Sequence, residues 1–306
     1  MAPRDRLLPP SWGDGPIVHF EGHPLRPPNE ADSILLQVTV GCSHNRCAFC
    51  AMYAGKRFRI KSHDEICDAL DFVAARYPDR RRLFLCDGDA LIIPQPRLVG
   101  ILEEIQRRHP GIKRVSTYAN AKAIARKSDD DLGELRALGL KMLHLGLESG
   151  DDETLAAVGK RGDSAFIVEQ GRRARAAGLK VFVTVLLGVA GLERSQIHAR
   201  RTGEALTQMA PNYVGALMLM LVPGTRLHAA QQRGEFVLPD ATGMLRELRT
   251  LLAFTQLDSG IFFANHASNY LPIQALLPSD KPQVLRWLDL AIAGAVPLKP
   301  EVLRGL

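Results

Sequence analysis

The 306-residue chain is expected to form an α/β fold: a partial (β/α)6 barrel of parallel strands with an irregular N-terminal arm and a short C-terminal α/β cap. Three observations predict this. Short apolar runs alternate with longer amphipathic stretches from Ile34 to about residue 225. Several runs, such as Val181-Phe-Val-Thr-Val-Leu-Leu187, are apolar without alternation, as in strands covered on both faces. Six strand–helix units are also too few to close an eight-fold barrel, which leaves an open one.

The elements follow in order. Residues 1–32 hold seven prolines and no periodicity and read as an arm on the surface. Strands are expected over 34–40, 82–86, 113–118, 142–147, 180–187 and 213–221. Ser62-His-Asp-Glu65 is a capping box before a helix at 66–76. Pro96 opens a helix at 97–108. Ser128 and Asp129 open one at 130–138 that Gly139 ends, and Gly178 stops another at 164–177. A short helix is expected over 154–158. Beyond 225 come a helix at 243–257, a strand at 261–264 and a helix at 282–293. The expected division is 1–32 arm, 33–225 barrel and 226–306 cap.

Composition narrows the classes. Hydrophobic residues make up 46% and charged residues 24%, as in ordinary soluble globules. No apolar run reaches the ~18 residues of a membrane span, and the N-terminal apolar stretch is too short for a secretory signal. A cytoplasmic, reducing location is therefore expected. Five cysteines, three of them clustered, read there as metal ligands rather than a disulfide framework. Cys67 and Cys86 read as small buried hydrophobes. The net charge of +6 is spread along the chain with no aromatic-rich basic tract, which favours anionic small molecules about as much as nucleic acid.

Cys42, Cys47 and Cys50 carry the chemistry. They sit in Val38-Thr-Val-Gly-Cys-Ser-His-Asn-Arg-Cys-Ala-Phe-Cys-Ala-Met-Tyr53, directly after an apolar run. Three thiolates leave one coordination position open, the mark of a reacting rather than a structural metal site. Active sites of parallel α/β folds lie at the carboxyl ends of the strands. Each further motif falls there: Asp87-Gly-Asp89 after the second strand, Ser116 and Tyr118 ending the third, Glu148-Ser-Gly150 after the fourth, and Gly188-Val-Ala-Gly191 after the fifth.

With these motifs the chain resembles the radical S-adenosylmethionine (SAM) superfamily over residues ~34 to ~225. The resemblance implies that Cys42, Cys47 and Cys50 hold one [4Fe–4S] cluster whose fourth iron chelates SAM. It also implies that an electron from the cluster cleaves SAM to a 5′-deoxyadenosyl radical that takes hydrogen from a substrate. The family spacing between the first two cysteines is three residues, and here it is four. Phe49 matches the adenine-contacting aromatic. Asp87-Gly88-Asp89 stands where the family has Gly-Gly-Glu, the segment facing the SAM amino group, and Ser116 and Tyr118 complete that side. The run from His144 to Leu155, with Lys160-Arg-Gly162, resembles the branch of oxygen-independent coproporphyrinogen oxidases, methylthiotransferases and cobalamin-type radical enzymes. By that likeness Glu148 contacts the SAM ribose or amino group and Lys160 its carboxylate, with Leu187 and Gly188 along the adenine.

Plainer readings stand beside these. Zinc would need a fourth ligand, and His44, inside the loop, is the nearby candidate. Asp87–Asp89 would be a simple turn and Glu148 a surface ion pair. His198 and His228 read as ordinary histidines, and Met218, Met220 and Met244 as core fillers. The polar run Asn265-His-Ala-Ser-Asn-Tyr270 reads equally as a loop or as a face toward the barrel mouth. The expectation is a radical SAM enzyme acting on a small organic substrate, reduced by a donor such as flavodoxin or ferredoxin. Only 41 residues precede Cys42, so no bound cobalamin is expected. The alternatives are a non-catalytic Fe–S or zinc protein on the same scaffold and an RNA-modifying enzyme.

Overall fold

A computed structural model describes residues 20–305 apart from 23 and 25, so most of the expected arm lies outside the described residues. The chain starts with β1 (Ile34–Gln37), β2 (Thr39–Val40) and β3 (Arg59–Ile60), then α1 (His63–Arg76), β4 (Arg82–Cys86), α2 (Gln95–Arg108) and β5 (Arg114–Ala119). Next come α3 (Ala121–Ala125), α4 (Asp129–Ala137), β6 (Leu140–Glu148), α5 (Asp152–Ala157), α6 (Ser164–Ala176), β7 (Lys180–Leu187), α7 (Gly191–Met209) and β8 (Tyr213–Met218). The C-terminal third adds α8 (Arg226–Gln232), α9 (Ala241–Phe254), β9 (Gly260–Phe263), β10 (Gln274–Leu277) and α10 (Lys281–Ile292). Among the described residues no helix is long and apolar enough to cross a membrane.

The capping signals act as expected. Ser62 and Glu65 form a reciprocal box at α1, and Ser128 and Asp131 form one at α4. Strands β1, β4, β5, β6, β7, β8 and β9 run parallel in that order, and β10 pairs antiparallel with β9. The sheet thus takes two strands more than the six expected, both from beyond residue 225. It stays open between β1 and β10. The run expected as one strand over 34–40 breaks at Val38. Its end, β2, leaves the sheet and pairs antiparallel with β3. That break turns the chain into the cysteine loop.

Side-chain alternation along the strands separates two faces. Leu36, Leu83, Leu85, Leu143, Leu145, Val181, Val183 and Val214 face the helices and form the main core. At roughly 2 kcal/mol per buried aliphatic side chain, this layer is what holds the sheet to its helices. The alternate residues face the barrel interior. Many of these are aromatic and form a floor: Phe84 meets Tyr118 edge-on at 5.0 Å, and His144, Phe182 and Phe263 stack at 5.0 and 6.0 Å. Glu30, from a single turn at Pro28–Glu30, reaches this floor and pairs with Arg114 at 2.8 Å. Toward the carboxyl ends the interior becomes polar.

Candidate metal centre and its surroundings

Cys42, Cys47 and Cys50 lie half-buried on one loop at the carboxyl end of the sheet. Three contacts fix the loop. The Gly88 amide donates to the Gly41 carbonyl at 3.1 Å, the Ala48 amide to Val158 at 2.7 Å, and the Leu227 amide to the Ala48 carbonyl at 2.9 Å. The longer interval between Cys42 and Cys47 is taken up at Asn45, which adopts a left-handed conformation (φ 45°) and donates its side-chain amide to the Tyr53 carbonyl at 2.8 Å. Asparagine is among the few residues that do so at low cost.

Asp87, Gly88 and Asp89 form a second wall. Asp87 has φ 73°, a conformation glycine takes freely. Its carboxylate offsets the strain by accepting from the Gly41 amide at 2.9 Å and from Gln37 Nε2 at 3.0 Å. That accounts for an aspartate where the resembled motif has glycine. Gly88 lies so close to the loop that a Cβ there would stand 2.7 Å from Cys42 Cβ and 2.9 Å from the Tyr53 ring. Asp89 is buried and accepts from Ser43 Oγ and from Asn120 Nδ2, the latter at 2.6 Å. Burial pushes its pKa up to about 6, and that of Asp87 upward as well.

Around this wall several buried polar atoms have no protein partner. Asp87 Oδ1, Asp89 Oδ1 and Tyr53 Oη are among them. Buried polar atoms are rarely left so, and a set of them at one end of a sheet is what a polar ligand would satisfy. Tyr118 lies on the same interior face as Ser116, two residues further along β5, and burial raises its pKa.

A third wall comes from β6 and the loop after it. Glu148 has φ 62° and accepts from Lys160 Nζ at 2.9 Å. Both side chains are mostly buried, at 13% and 12% exposure, so the bland reading as a surface ion pair is set aside. Burial works against the Lys160 charge, yet Glu148 and Cys47 hold its pKa above the ordinary value. Burial raises the Cys50 thiol, and raises Cys47 to about 11. Such thiols ionise readily only when a bound metal supplies the compensating charge.

Phe49 packs with Leu186, Leu217 and Leu219 in a small apolar cluster beside the loop. Leu187 belongs to the main core under the helices, so its side chain turns away from the interior and Leu186 is the neighbour that faces it. The Gly188 amide donates to Glu247 Oε1 at 2.5 Å.

The donor set fits a cluster better than a single ion. His44 donates Nε2–H to the Gly159 carbonyl at 2.7 Å, while its buried Nδ1 has no hydrogen-bond partner. Among the described residues only His63, Cys67 and Glu104 offer metal-ligating atoms within 4.8 Å of one another, so the three loop sulfurs do not crowd that closely. One tetrahedral zinc would draw them to about 3.8 Å apart. The His63 set lies on α1 and α2, away from this site, and there Arg107 and Arg108 already neutralise Glu104.

Other expected residues have structural partners. Asn269 accepts from the Met218 amide at 2.9 Å and donates to the Ala216 carbonyl at 2.8 Å, and Tyr270 bonds Glu301 and Arg304. Met218 and Met244 are buried, Met220 is half-buried, and Cys67 and Cys86 are buried. His198 is wholly buried, whereas His228 sits half-buried on α8. The sequence reading passed over Tyr53, Asn120 and Glu247. Asn120 was detectable as an amide directly after a strand, and Glu247 as a lone charge in the apolar stripe Met244, Leu245, Leu248, Leu251.

No curated protein matches the chain in sequence. Among solved structures, the coproporphyrinogen III oxidase HemN of Escherichia coli, described as a radical SAM enzyme, superposes with TM-score 0.54 at 18% identity, covering 72% of this chain and 51% of HemN. The radical SAM methyltransferase TsrM of Kitasatospora setae, with cobalamin and a [4Fe–4S] cluster bound, superposes with TM-score 0.53 at 19% identity, covering 65% of this chain and 39% of TsrM. Methylornithine synthase (PylB) superposes with TM-score 0.51 at 16% identity, covering 74% of this chain and 63% of that one. These likenesses establish the partial-barrel fold. The family model of the radical SAM superfamily matches residues 36–199, more than half of the chain and all three loop cysteines. The chain belongs to the radical SAM superfamily, whose members use a [4Fe–4S] cluster and SAM.

Proposed function

We propose that Cys42, Cys47 and Cys50 hold the cluster, that SAM lies across the carboxyl ends of β4 to β7, and that the radical acts on a small organic substrate inside the barrel. The observation that carries this reading is the loop itself: three thiols beside buried, unpartnered oxygens. Held by these three cysteines, a reduced [4Fe–4S] cluster would supply the single electron for reductive cleavage of SAM into methionine and a hydrogen-abstracting 5′-deoxyadenosyl radical.

The protein's own groups would bind and orient. Asp89, through its unpartnered Oδ1, and the backbone at Asp87 and Gly88 suit a cationic amino group. Lys160 suits a carboxylate, and Glu148 a ribose hydroxyl or the amino group. Phe49, with Leu186 beside it, offers an apolar face for the adenine, and the backbone of Leu187 and Gly188 closes that side. Ser116 and Tyr118 face the interior below, where substrate would enter. The reading includes a flavodoxin- or ferredoxin-type donor, a cytoplasmic setting and no cobalamin on this chain.

Anaerobic reconstitution tests it. About four irons per chain are expected, and with dithionite and SAM the protein should release 5′-deoxyadenosine and methionine. Alanine at Cys42, Cys47 or Cys50 should abolish iron binding and cleavage together. Wild-type protein that takes up one zinc, no iron, and leaves SAM intact would refute the reading.

A further inference from the structure

A wholly buried polar network joins two of the walls from behind. Glu247, on α9, lies beyond the residues matched by the family model and has no exposed surface. Its carboxylate accepts from the Gly188 amide at 2.5 Å and from Ser195 Oγ at 2.5 Å, and stands 3.2 Å from His198 Nε2, off the line of a good hydrogen bond. The other ring nitrogen, His198 Nδ1, lies 2.7 Å from Ser149 Oγ. Ser149 Oγ also lies 3.5 Å from the Asp151 carbonyl and accepts from the Asp151 amide at 2.9 Å, so it ties the ring to the loop after β6. The Gly150 amide donates to Thr202 Oγ1 at 2.9 Å, and Thr202 in turn donates to the His198 carbonyl at 2.6 Å.

One chain of contacts therefore runs from the end of β7 through Glu247 and His198 to the residue after Glu148. The helices that carry it cannot easily shift. A Cβ at Gly203 on α7 would stand 2.5 Å from the Leu251 carbonyl of α9, and one at Gly150 would run into the Arg201 backbone. Glu148 itself is held in a left-handed conformation that needs support from its neighbours.

We infer that Glu247 and His198 are positioning residues that lock the carboxyl ends of β6 and β7 into one unit for nucleotide binding, so that the C-terminal extension is part of the SAM site's scaffold. The inference rests on the SAM reading above. A buried carboxylate is costly to keep unless every oxygen is used, and Glu247 uses one oxygen on the Gly188 amide at the end of β7 and the other on Ser195 of α7. Neither residue touches the ligand in this arrangement; each acts through Gly188 or Ser149.

Amide hydrogen exchange and SAM binding by equilibrium dialysis test this in Glu247→Gln and Ser149→Ala. Glu247→Gln should speed exchange in both 186–191 and 147–151, while segments around Cys42 and Glu30 keep wild-type rates. In reconstituted protein it should weaken SAM binding about tenfold with iron content unchanged. Ser149→Ala, the milder change should Glu247→Gln not fold, should speed exchange at 186–191, across the network from the substitution. Exchange altered only beside the substituted residue would overturn the coupling. Folded variants that bind SAM as wild type does would overturn the positioning role. Wild-type protein that binds no SAM would instead refute the site reading, and the exchange data would still decide the coupling.

Discussion

The floor and the mouth of the barrel each bury carboxylates, and they treat them in opposite ways. At the floor, burial pushes Glu30 upward, but His144, Ser33 and Arg114 more than offset it and bring its pKa down to about 2. At the mouth, Asp89 keeps one unpartnered oxygen and is pushed up to about 6. A satisfied buried charge is scaffold. An under-satisfied one costs stability and persists where a ligand completes it. The contrast agrees with the proposed binding at the carboxyl ends of the strands, although Arg114 Nε and His144 Nε2 at the floor also lack hydrogen-bond partners.

The largest way to break the contrast is to fill the gap at Gly88. A Cβ there meets Cys42 and the Tyr53 ring, and overpacking of this kind costs about 1–3 kcal/mol. Gly88→Ala should therefore shift Cys42 and lower iron content per chain, measured after reconstitution, to under half of wild type, with the floor unaffected. Iron content equal to wild type would show that the loop yields freely and that the close approach is incidental.

A smaller effect is expected on the third wall. Lys160→Ala leaves Glu148 partly buried without its partner and removes the cation proposed for the SAM carboxylate. SAM affinity, read by equilibrium dialysis, should fall by about tenfold or more while iron content is retained. Lys160→Arg should recover only part of it, because a planar fork does not replace a point charge at 2.9 Å from Glu148. An affinity unmoved by the alanine would remove Lys160 from the site.

How much of this was legible in the sequence depends on where the signal sat. The cysteine loop and the strand ends were legible because spacing and strand polarity are chemical constraints that survive without coordinates. Helix α7, the longest at 19 residues, was not among the expected helices. The first half of its buried face is Ser195, His198, Ala199, Thr202 and Gly203, and large apolar residues enter only at Leu206 and Met209, so the apolar stripe is short. The residues that blunt that signal are the ones that hold the site from behind. Glu30 was hidden for another reason: it follows a proline-rich stretch with no periodicity, and its partners Arg114 and His144 are 84 and 114 positions away. The sheet's last two strands were short, at four residues each, and their pairing with β8 and with each other is set by tertiary contacts.

The smallest predicted effect separates floor from mouth by sign. For Asp89 the folded pKa of about 6 lies above the reference 3.8, so the folded state binds more protons between about pH 4 and 6. Its contribution to stability is present below that window and is lost as pH rises through it. For Glu30 the folded pKa of about 2 lies below the reference 4.5, so its contribution is present above 4.5 and is lost as pH falls toward 2. Each shift amounts to about 3–3.5 kcal/mol at most. Urea unfolding of cluster-free protein, taken as wild type minus variant, isolates each group. The difference for Asp89→Asn should fall with rising pH between 4 and 6, and that for Glu30→Gln should fall with falling pH below 4.5. Slopes of the same sign would mean that the two carboxylates are equally satisfied, and the mouth would lose its claim to be the binding end.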